Sequence, residues 1–82
     1  MNFGHVEDKL VRSVLMGNLS EDALCYAIEY TLECALKDQQ DQEIPFSVSE
    51  QRLCAAMGAA DWWNEEGNPF EAVESLKAAW GV

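Results

Sequence analysis

Glycines and prolines divide this 82-residue chain into four segments, and each segment repeats its apolar residues at the spacing of an α-helix. Gly17 and Gly67 stand where helices end, because glycine readily adopts the left-handed conformation of a C-terminal cap. Pro45 disfavours helix at the residue before it, and Asn68 with Pro69 predicts an N-cap followed by the first helical residue. No segment alternates apolar and polar residues as a strand does. The sequence therefore predicts an all-α protein.

The predicted architecture is a compact single-domain bundle with short connections, because a chain of this length supports one small core. Ser20 predicts the N-cap of the second helix, and Ser47 with Glu50 has the spacing of a capping box that opens the third. The domain covers residues 1–82, and the four helices are predicted at about 2–16, 21–38, 48–66 and 69–80. Helical projection predicts the inward-facing residues Phe3, Val6, Leu10 and Val14, then Leu24, Ala27, Ile28, Thr31 and Ala35, then Phe70, Val73, Leu76 and Trp80.

The chain carries 15 acidic and five basic side chains, for a formal charge of -10. Such a surface repels nucleic acid and anionic membranes and attracts basic proteins. The hydrophobic fraction of 49% is that of a globular protein, so the charge does not indicate disorder. The partner predicted by this charge is a basic protein, and neither nucleic acid nor a membrane is expected to bind directly.

Targeting signals are not evident in the sequence. The N-terminal stretch MNFGHVEDKLVR places charges where a signal peptide needs an apolar core. No apolar run approaches the roughly 20 residues of a membrane span. Cys25, Cys34 and Cys54 are odd in number and lack CxxC spacing, which is typical of free thiols in a reducing compartment. The expected location is the cytoplasm.

Residues for catalysis or metal binding are scarce. His5 is the single histidine, and no cysteine pair has the spacing of metal ligands. A nucleophilic Ser or Cys needs a neighbouring base, which the sequence does not place beside it. We therefore expect no catalytic residue, no metal and no cofactor, and predict that the protein is not an enzyme.

In size, charge and helix count the chain resembles an acyl carrier protein. That family carries its prosthetic group on the serine of an Asp-Ser-Leu motif at the start of the second helix. Here the stretch reads Asn18-Leu19-Ser20-Glu21, so Ser20 lacks both flanking residues of the motif. The long loop of that family between its first two helices is also missing. The sequence therefore argues against a carrier, and a capping role explains Ser20.

The outer face of the second helix is the first predicted partner surface. It carries Tyr26, Glu29, Tyr30 and Glu33, opposite the inward-facing residues. Tyrosine is enriched at binding hot spots, so tyrosines between carboxylates predict a recognition strip. In the alternative interpretation, both rings lie on neighbouring helices with their hydroxyls in water.

The end of the third helix is the second predicted partner surface. Trp62 and Trp63 are adjacent and therefore point about 100° apart, so that one ring can join the core while the other does not. The outward ring, for which Trp62 is the candidate although the sequence does not decide between the two, lies beside Asp61, Glu65 and Glu66 as an aromatic anchor in an acidic rim. The alternative is that the fourth helix shields both rings.

The third helix is apolar nearly all round, a pattern of helices that are buried on most sides. Ala55, Gly58 and Ala59 would let another backbone approach closely, which predicts a self-association surface between two copies. The alternative is that the other three helices of the same chain surround this one.

These features predict a small, non-enzymatic acidic protein that inhibits or regulates a basic, nucleic-acid-binding partner by imitating the charge of DNA. By analogy of size and charge, such proteins are encoded by phages and mobile elements against CRISPR, restriction or host transcription machinery. The alternative is a self-associating structural or regulatory subunit that dimerises through its third helix. An enzyme or carrier is a third, disfavoured alternative.

Overall fold

Four α-helices make up the part of the chain that the structure, a computed structural model, describes, which is residues 6–82. The helices are α1 (Lys9–Leu15), α2 (Glu21–Gln40), α3 (Phe46–Asn64) and α4 (Pro69–Trp80). Helix α2 contacts each of the other three, and α4 packs most extensively against α3. The prediction of an all-α bundle of four helices is confirmed.

Several helix ends lie where local chemistry predicts them. The side chain of Asn68 accepts a hydrogen bond from the backbone N–H of Glu71 at 3.1 Å, and Pro69 is the first residue of α4. Ser20 occupies the N-cap position of α2 in an extended conformation, although its hydroxyl makes no capping hydrogen bond. Gly17 has a positive φ of 117° after the end of α1, a conformation that favours glycine.

The start predicted for the first helix is wrong over the described residues. Residues 6–8 are not helical, and residues 2–5 of the predicted range lie outside the description. Asp8 is the N-cap instead, because its carboxylate accepts from the backbone N–H of Leu10 at 2.9 Å and of Val11 at 3.1 Å. Val6 has helical spacing to Leu10, but it precedes the N-cap and is not part of α1.

The capping box predicted at Ser47 is also wrong, since α3 begins at Phe46. Pro45 stands at the N-cap position with φ of -56° and ψ of 135°, and no side chain caps this end. Proline fixes φ, so the residue that follows it can enter the helix without a polar cap. Ser49 is fully buried, and its hydroxyl donates to the carbonyl of Phe46 at 3.0 Å.

Small side chains dominate the core. Seven of the fifteen buried apolar residues are alanine, and Leu24 and Leu76 are the largest side chains that are fully buried. The inward face predicted for α2 is confirmed throughout: Leu24, Ala27, Ile28, Thr31 and Ala35 are all buried. None of the seven aromatic residues between positions 6 and 82 is buried. The helices therefore meet through alanine, and the large rings remain at the periphery.

Two residues predicted to face inward are exposed. Leu10 is 40% exposed, because α1 begins at Lys9 and turns Val11, Val14 and Leu15 toward the core instead. Phe70 is 70% exposed in the first turn of α4, where no neighbouring helix covers it. Val73 and Leu76 of the same predicted stripe are buried, and Trp80 is half-buried.

Membrane insertion through a helix finds no support in the described residues. Over positions 6–82, none of the helices combines the length and the apolar character that crossing a membrane requires.

Truncation of the core leucine Leu76 tests this packing. We expect Leu76→Ala to lower the free energy of unfolding by about 2–5 kcal/mol, because a fully buried leucine leaves a cavity when it is removed. Phe70→Ala, in the same helix, is the matched control and should cost less than about 1 kcal/mol because its ring is exposed. Urea unfolding of both variants measures the difference, and equal losses would contradict the described core.

Candidate functional site

The C-terminal end of α3 lies beside the N-terminal half of α2. The indole N–H of Trp63 donates to the sulfur of Cys25 at 3.2 Å, and this contact joins the two helices. Glu29 and Asn64 line the same shallow pocket as these two residues. Glu29 of the predicted strip on α2 therefore lies beside the end of α3, although the sequence predicts these as separate surfaces.

The two chain segments that contribute to this end of the molecule carry acids without bases. Residues 13–36 and 53–76 include no lysine or arginine. We define the acidic end by the carboxylates that these two segments bring to it: Glu21, Asp22, Glu29, Asp61, Glu65, Glu66 and Glu71. Two of the five basic residues are paired elsewhere, Arg52 with Asp38 and Lys77 with Glu74. The charge of the protein is therefore distributed unevenly.

Helix stability accounts for part of the acidic end but not for all of it. Glu21 and Asp22 lie in the first turn of α2, where the helix dipole favours carboxylates. Asp61, Glu65 and Glu66 lie at the C-terminal end of α3, where the dipole disfavours them, and the last turn of α3 contains no basic residue. These three carboxylates therefore lower the stability of the C-terminal end of α3.

The disfavoured carboxylates surround an exposed tryptophan. Asp61, Glu65 and Glu66 line an open groove with Trp62 and Gly58, which we call the Trp62 groove. The ring of Trp62 is 38% exposed, whereas the neighbouring Trp63 packs against the hydrophobic core. The acidic rim around one outward ring is thus present, and Trp62 is the outward tryptophan.

The tyrosines of α2 lie in a row of stacked rings. The ring centroids of Tyr26 and Tyr30 are 6.0 Å apart, and those of Tyr30 and Trp80 are 6.2 Å apart, with interplanar angles of 28° and 25°. The guanidinium of Arg52 lies 5.5 Å from the centre of the Trp80 ring. We call Tyr26, Tyr30 and Trp80 the aromatic row. The i, i+4 spacing of the two tyrosines indicates their stacking, but no sequence signal joins Trp80 to them.

Hydrogen bonds beside the aromatic row connect α2, α3 and α4. The indole N–H of Trp80 donates to the buried hydroxyl of Thr31 at 2.9 Å, which joins α4 to α2. Arg52 of α3 donates from Nε to the carbonyl of Ala79 at 2.9 Å, and its guanidinium also pairs with Asp38 of α2. The row therefore has a structural role, and Tyr30 is half-buried within it.

The four residues of the predicted recognition strip are placed differently from one another. Tyr26 and Tyr30 are occupied by stacking within the chain, and only Tyr26 of the two is exposed. Glu29 is exposed at the pocket beside Trp63, and Glu33 is exposed one turn further along α2. Of the two carboxylates of the strip, Glu29 thus adjoins the end of α3, while the two rings belong to the aromatic row.

The predicted self-association surface is corrected at one residue. Ala59 is fully buried in the core of its own chain, so it has no surface to offer a second copy. Gly58 faces α4, since a Cβ atom there would lie 3.8 Å from the hydroxyl oxygen of Ser75, and Ala55 is half-buried. The small residues of α3 allow α4 to approach, and dimerisation through this helix remains a prediction.

Potential ligands for a metal do not cluster in the described part of the chain. Over positions 6–82, no three His, Cys, Asp or Glu side chains are grouped closely enough to hold a metal ion. Cys25 and Cys54 are exposed free thiols, and burial raises the pKa of the half-buried Cys34. His5 lies outside the described residues.

Comparison of the chain with models of protein families, with curated proteins and with solved structures found no match.

One polar contact joins α2 to the segment before α1. The hydroxyl of Tyr26 donates to the carboxylate of Asp8 at 2.5 Å. This hydrogen bond raises the pKa of Tyr26 to about 12, because ionisation of the phenol would place two negative charges together. The same bond lowers the pKa of Asp8 below its ordinary value of 3.8, assisted by the backbone N–H of Val11.

Titration of the tyrosines tests this contact. We expect the pKa of Tyr26, followed by phenolate absorbance, to fall from about 12 toward 10 in Asp8→Asn, because the carboxylate charge is gone. Since the pKa of Asp8 is lowered by folding, its stabilising effect is complete above pH 3.8 and is lost as the pH falls through the lower folded value. Tyr26→Phe is the control that identifies the titrating ring. A wild-type Tyr26 that titrates near 10 would contradict the contact.

Proposed function

We propose that this chain is a non-enzymatic binding protein whose acidic end covers the basic surface of a nucleic-acid-binding partner. The observation that carries the proposal is the set of three carboxylates, Asp61, Glu65 and Glu66, around the exposed ring of Trp62. Local rules that a sequence breaks at a cost to its own helix are expected at functional sites. These carboxylates are such a case.

The charge of the acidic end determines the class of partner. A surface that binds DNA or RNA presents lysine and arginine to the phosphates. A folded acidic surface without competing cations can occupy those side chains and exclude the nucleic acid. Complementary charge also accelerates encounter between the two proteins and lowers the affinity as salt rises. Glu29, from α2, extends this surface beyond the Trp62 groove.

The exposed indole supplies the contact that charge alone lacks. Tryptophan is enriched among the residues that dominate binding energy at interfaces. A guanidinium that stacks on an indole gains about 0.5–2 kcal/mol. An arginine of the partner can therefore stack on Trp62 while its donors reach Glu65 or Glu66, which line the same groove.

The tyrosines take a supporting role in this proposal. Tyr26 and Tyr30 help to position α2, and hence Glu29 and Glu33, through the aromatic row. They contribute to the interface only through the edges that stacking leaves exposed. Small acidic proteins that act in this way are encoded by phages and mobile elements, against CRISPR, restriction or transcription machinery, and the proposal includes that class by analogy.

Charge-matched variants test the proposal. Asp61→Asn/Glu65→Gln/Glu66→Gln neutralises the Trp62 groove, and Asp41→Asn/Glu43→Gln/Glu50→Gln removes three exposed carboxylates near the opposite end of α3. Each triple variant changes the formal charge of -10 by the same amount. Immobilised wild-type protein and both variants are exposed at low salt to a lysate of the native host, and the retained proteins are identified.

We expect the wild type and the second variant to retain the same nucleic-acid-binding protein, and the groove variant to lose it. Added DNA should compete for the retained protein, and its affinity should fall at least about tenfold between 50 and 200 mM salt. If both triple variants lost the retained protein equally, binding would depend only on net charge and not on the Trp62 groove. Retention that neither DNA nor salt weakens would show that the proposed mechanism is wrong.

A further inference from the structure

A second surface is an apolar groove between α1 and α4, which shares Glu71 with the acidic end but no residue with the Trp62 groove. Its floor consists of the buried residues Leu15 and Val73, and its walls include Met16 and Phe70. Met16 is 72% exposed and Phe70 is 70% exposed, the highest values among the large apolar residues described. We call this the α1–α4 groove. Leu19, Glu71, Glu74 and Lys77 complete its lining.

The groove is open because α1 is too short to cover α4. Helix α1 has seven residues and α4 has twelve. The chain turns away after Leu15 through Gly17, whose positive φ directs the backbone toward α2. Within residues 6–82, no helix therefore covers the outer side of the first turn of α4, where Phe70 lies, although Ala72 of the same turn is buried.

We propose that the α1–α4 groove binds a basic amphipathic helix of a partner protein. A helix fits because the groove runs along about two turns of α4, from Phe70 through Val73 to Lys77, with an apolar floor between two helical walls. The apolar face of the ligand would rest on Leu15 and Val73. Methionine adapts its shape to varied apolar partners, which suits Met16 as one of the walls.

The charge of the groove selects a basic ligand. Glu71 and Glu74 line it, and its single cation, Lys77, is paired with Glu74 at 3.4 Å. Glu21 and Asp22 follow shortly after Leu19 in the chain, at the start of α2. A second copy of the chain would bring a further charge of -10 to this surface, so repulsion disfavours a dimer here. Lysine or arginine flanking an apolar helical stripe would meet these carboxylates instead.

Methyl NMR can test the groove at single-residue resolution. The variant Asp61→Asn/Glu65→Gln/Glu66→Gln is labelled at its methionine methyl groups, so that Met16 reports on the α1–α4 groove and Met57, beside the neutralised Trp62 groove on α3, serves as an internal control. The probe is a synthetic peptide of leucine and lysine with leucine at helical spacing. Two control peptides are used: one has the same composition in scrambled order, and one has glutamate in place of lysine.

We expect saturable shifts of the Met16 methyl signal with the amphipathic basic peptide and unchanged Met57. The scrambled and acidic peptides should bind at least about tenfold more weakly, and Phe70→Ala should weaken binding by a similar factor. Because the ring of Phe70 is exposed, this variant is expected to fold, and its urea unfolding verifies that.

Equal shifts of Met16 and Met57, or equal affinity for the scrambled peptide, would overturn the proposal, since both indicate diffuse attraction to an acidic protein. Concentration-dependent dimerisation abolished by Phe70→Ala would also overturn it. The variant Asp61→Asn/Glu65→Gln/Glu66→Gln should still bind the peptide at Met16. The α1–α4 groove and the proposed function of the acidic end can thus fail separately.

Discussion

The close approach of helices through alanine is the constraint on which the rest of the structure depends. Ala27 and Ala35 on α2, Ala56 and Ala59 on α3, and Ala72 and Ala79 on α4 are all buried. Where alanines bring two helices close together, little volume is left between them for a large ring, because protein cores are packed at nearly crystalline density. Every described aromatic side chain therefore lies partly or fully at the surface. The rings of the proposed binding surfaces are therefore exposed because the small core does not accommodate them.

Five of the seven described aromatic residues fall into two groups. Tyr30, Trp63 and Trp80 are half-buried, and both indoles donate hydrogen bonds across helices, to Cys25 and to Thr31. They rigidify the bundle at its edges. Trp62 and Phe70 stay exposed on different helices, each in a groove lined by carboxylates. Exposed rings within an acidic protein are suited to partners that combine apolar and basic groups.

Local signals in the sequence predicted much of the fold, whereas tertiary coverage was not predictable. The start of α4 and the inward face of α2 follow from Asn68-Pro69 and from helical spacing. Phe70 has the helical spacing of the buried residues Val73 and Leu76, but its ring is exposed because the short helix α1 does not extend over it. Spacing shows that Trp62 and Trp63 diverge, while the choice between them depends on Cys25, 38 residues away. The acidic rim was predictable because Asp61, Glu65 and Glu66 adjoin Trp62 in the chain.

The central claim is that an exposed indole lies in a negative field at the end of α3, and quenching of tryptophan fluorescence tests it most directly. Caesium and iodide are quenchers of opposite charge, and the acidic rim should attract the first and repel the second. We predict that caesium quenching of the wild type, each quencher being normalised to its effect on free tryptophan, exceeds iodide quenching, and that Trp62→Phe reduces this difference more than Trp63→Phe or Trp80→Phe does. Normalised iodide quenching as strong as that by caesium, or a difference unchanged by Trp62→Phe, would contradict the account.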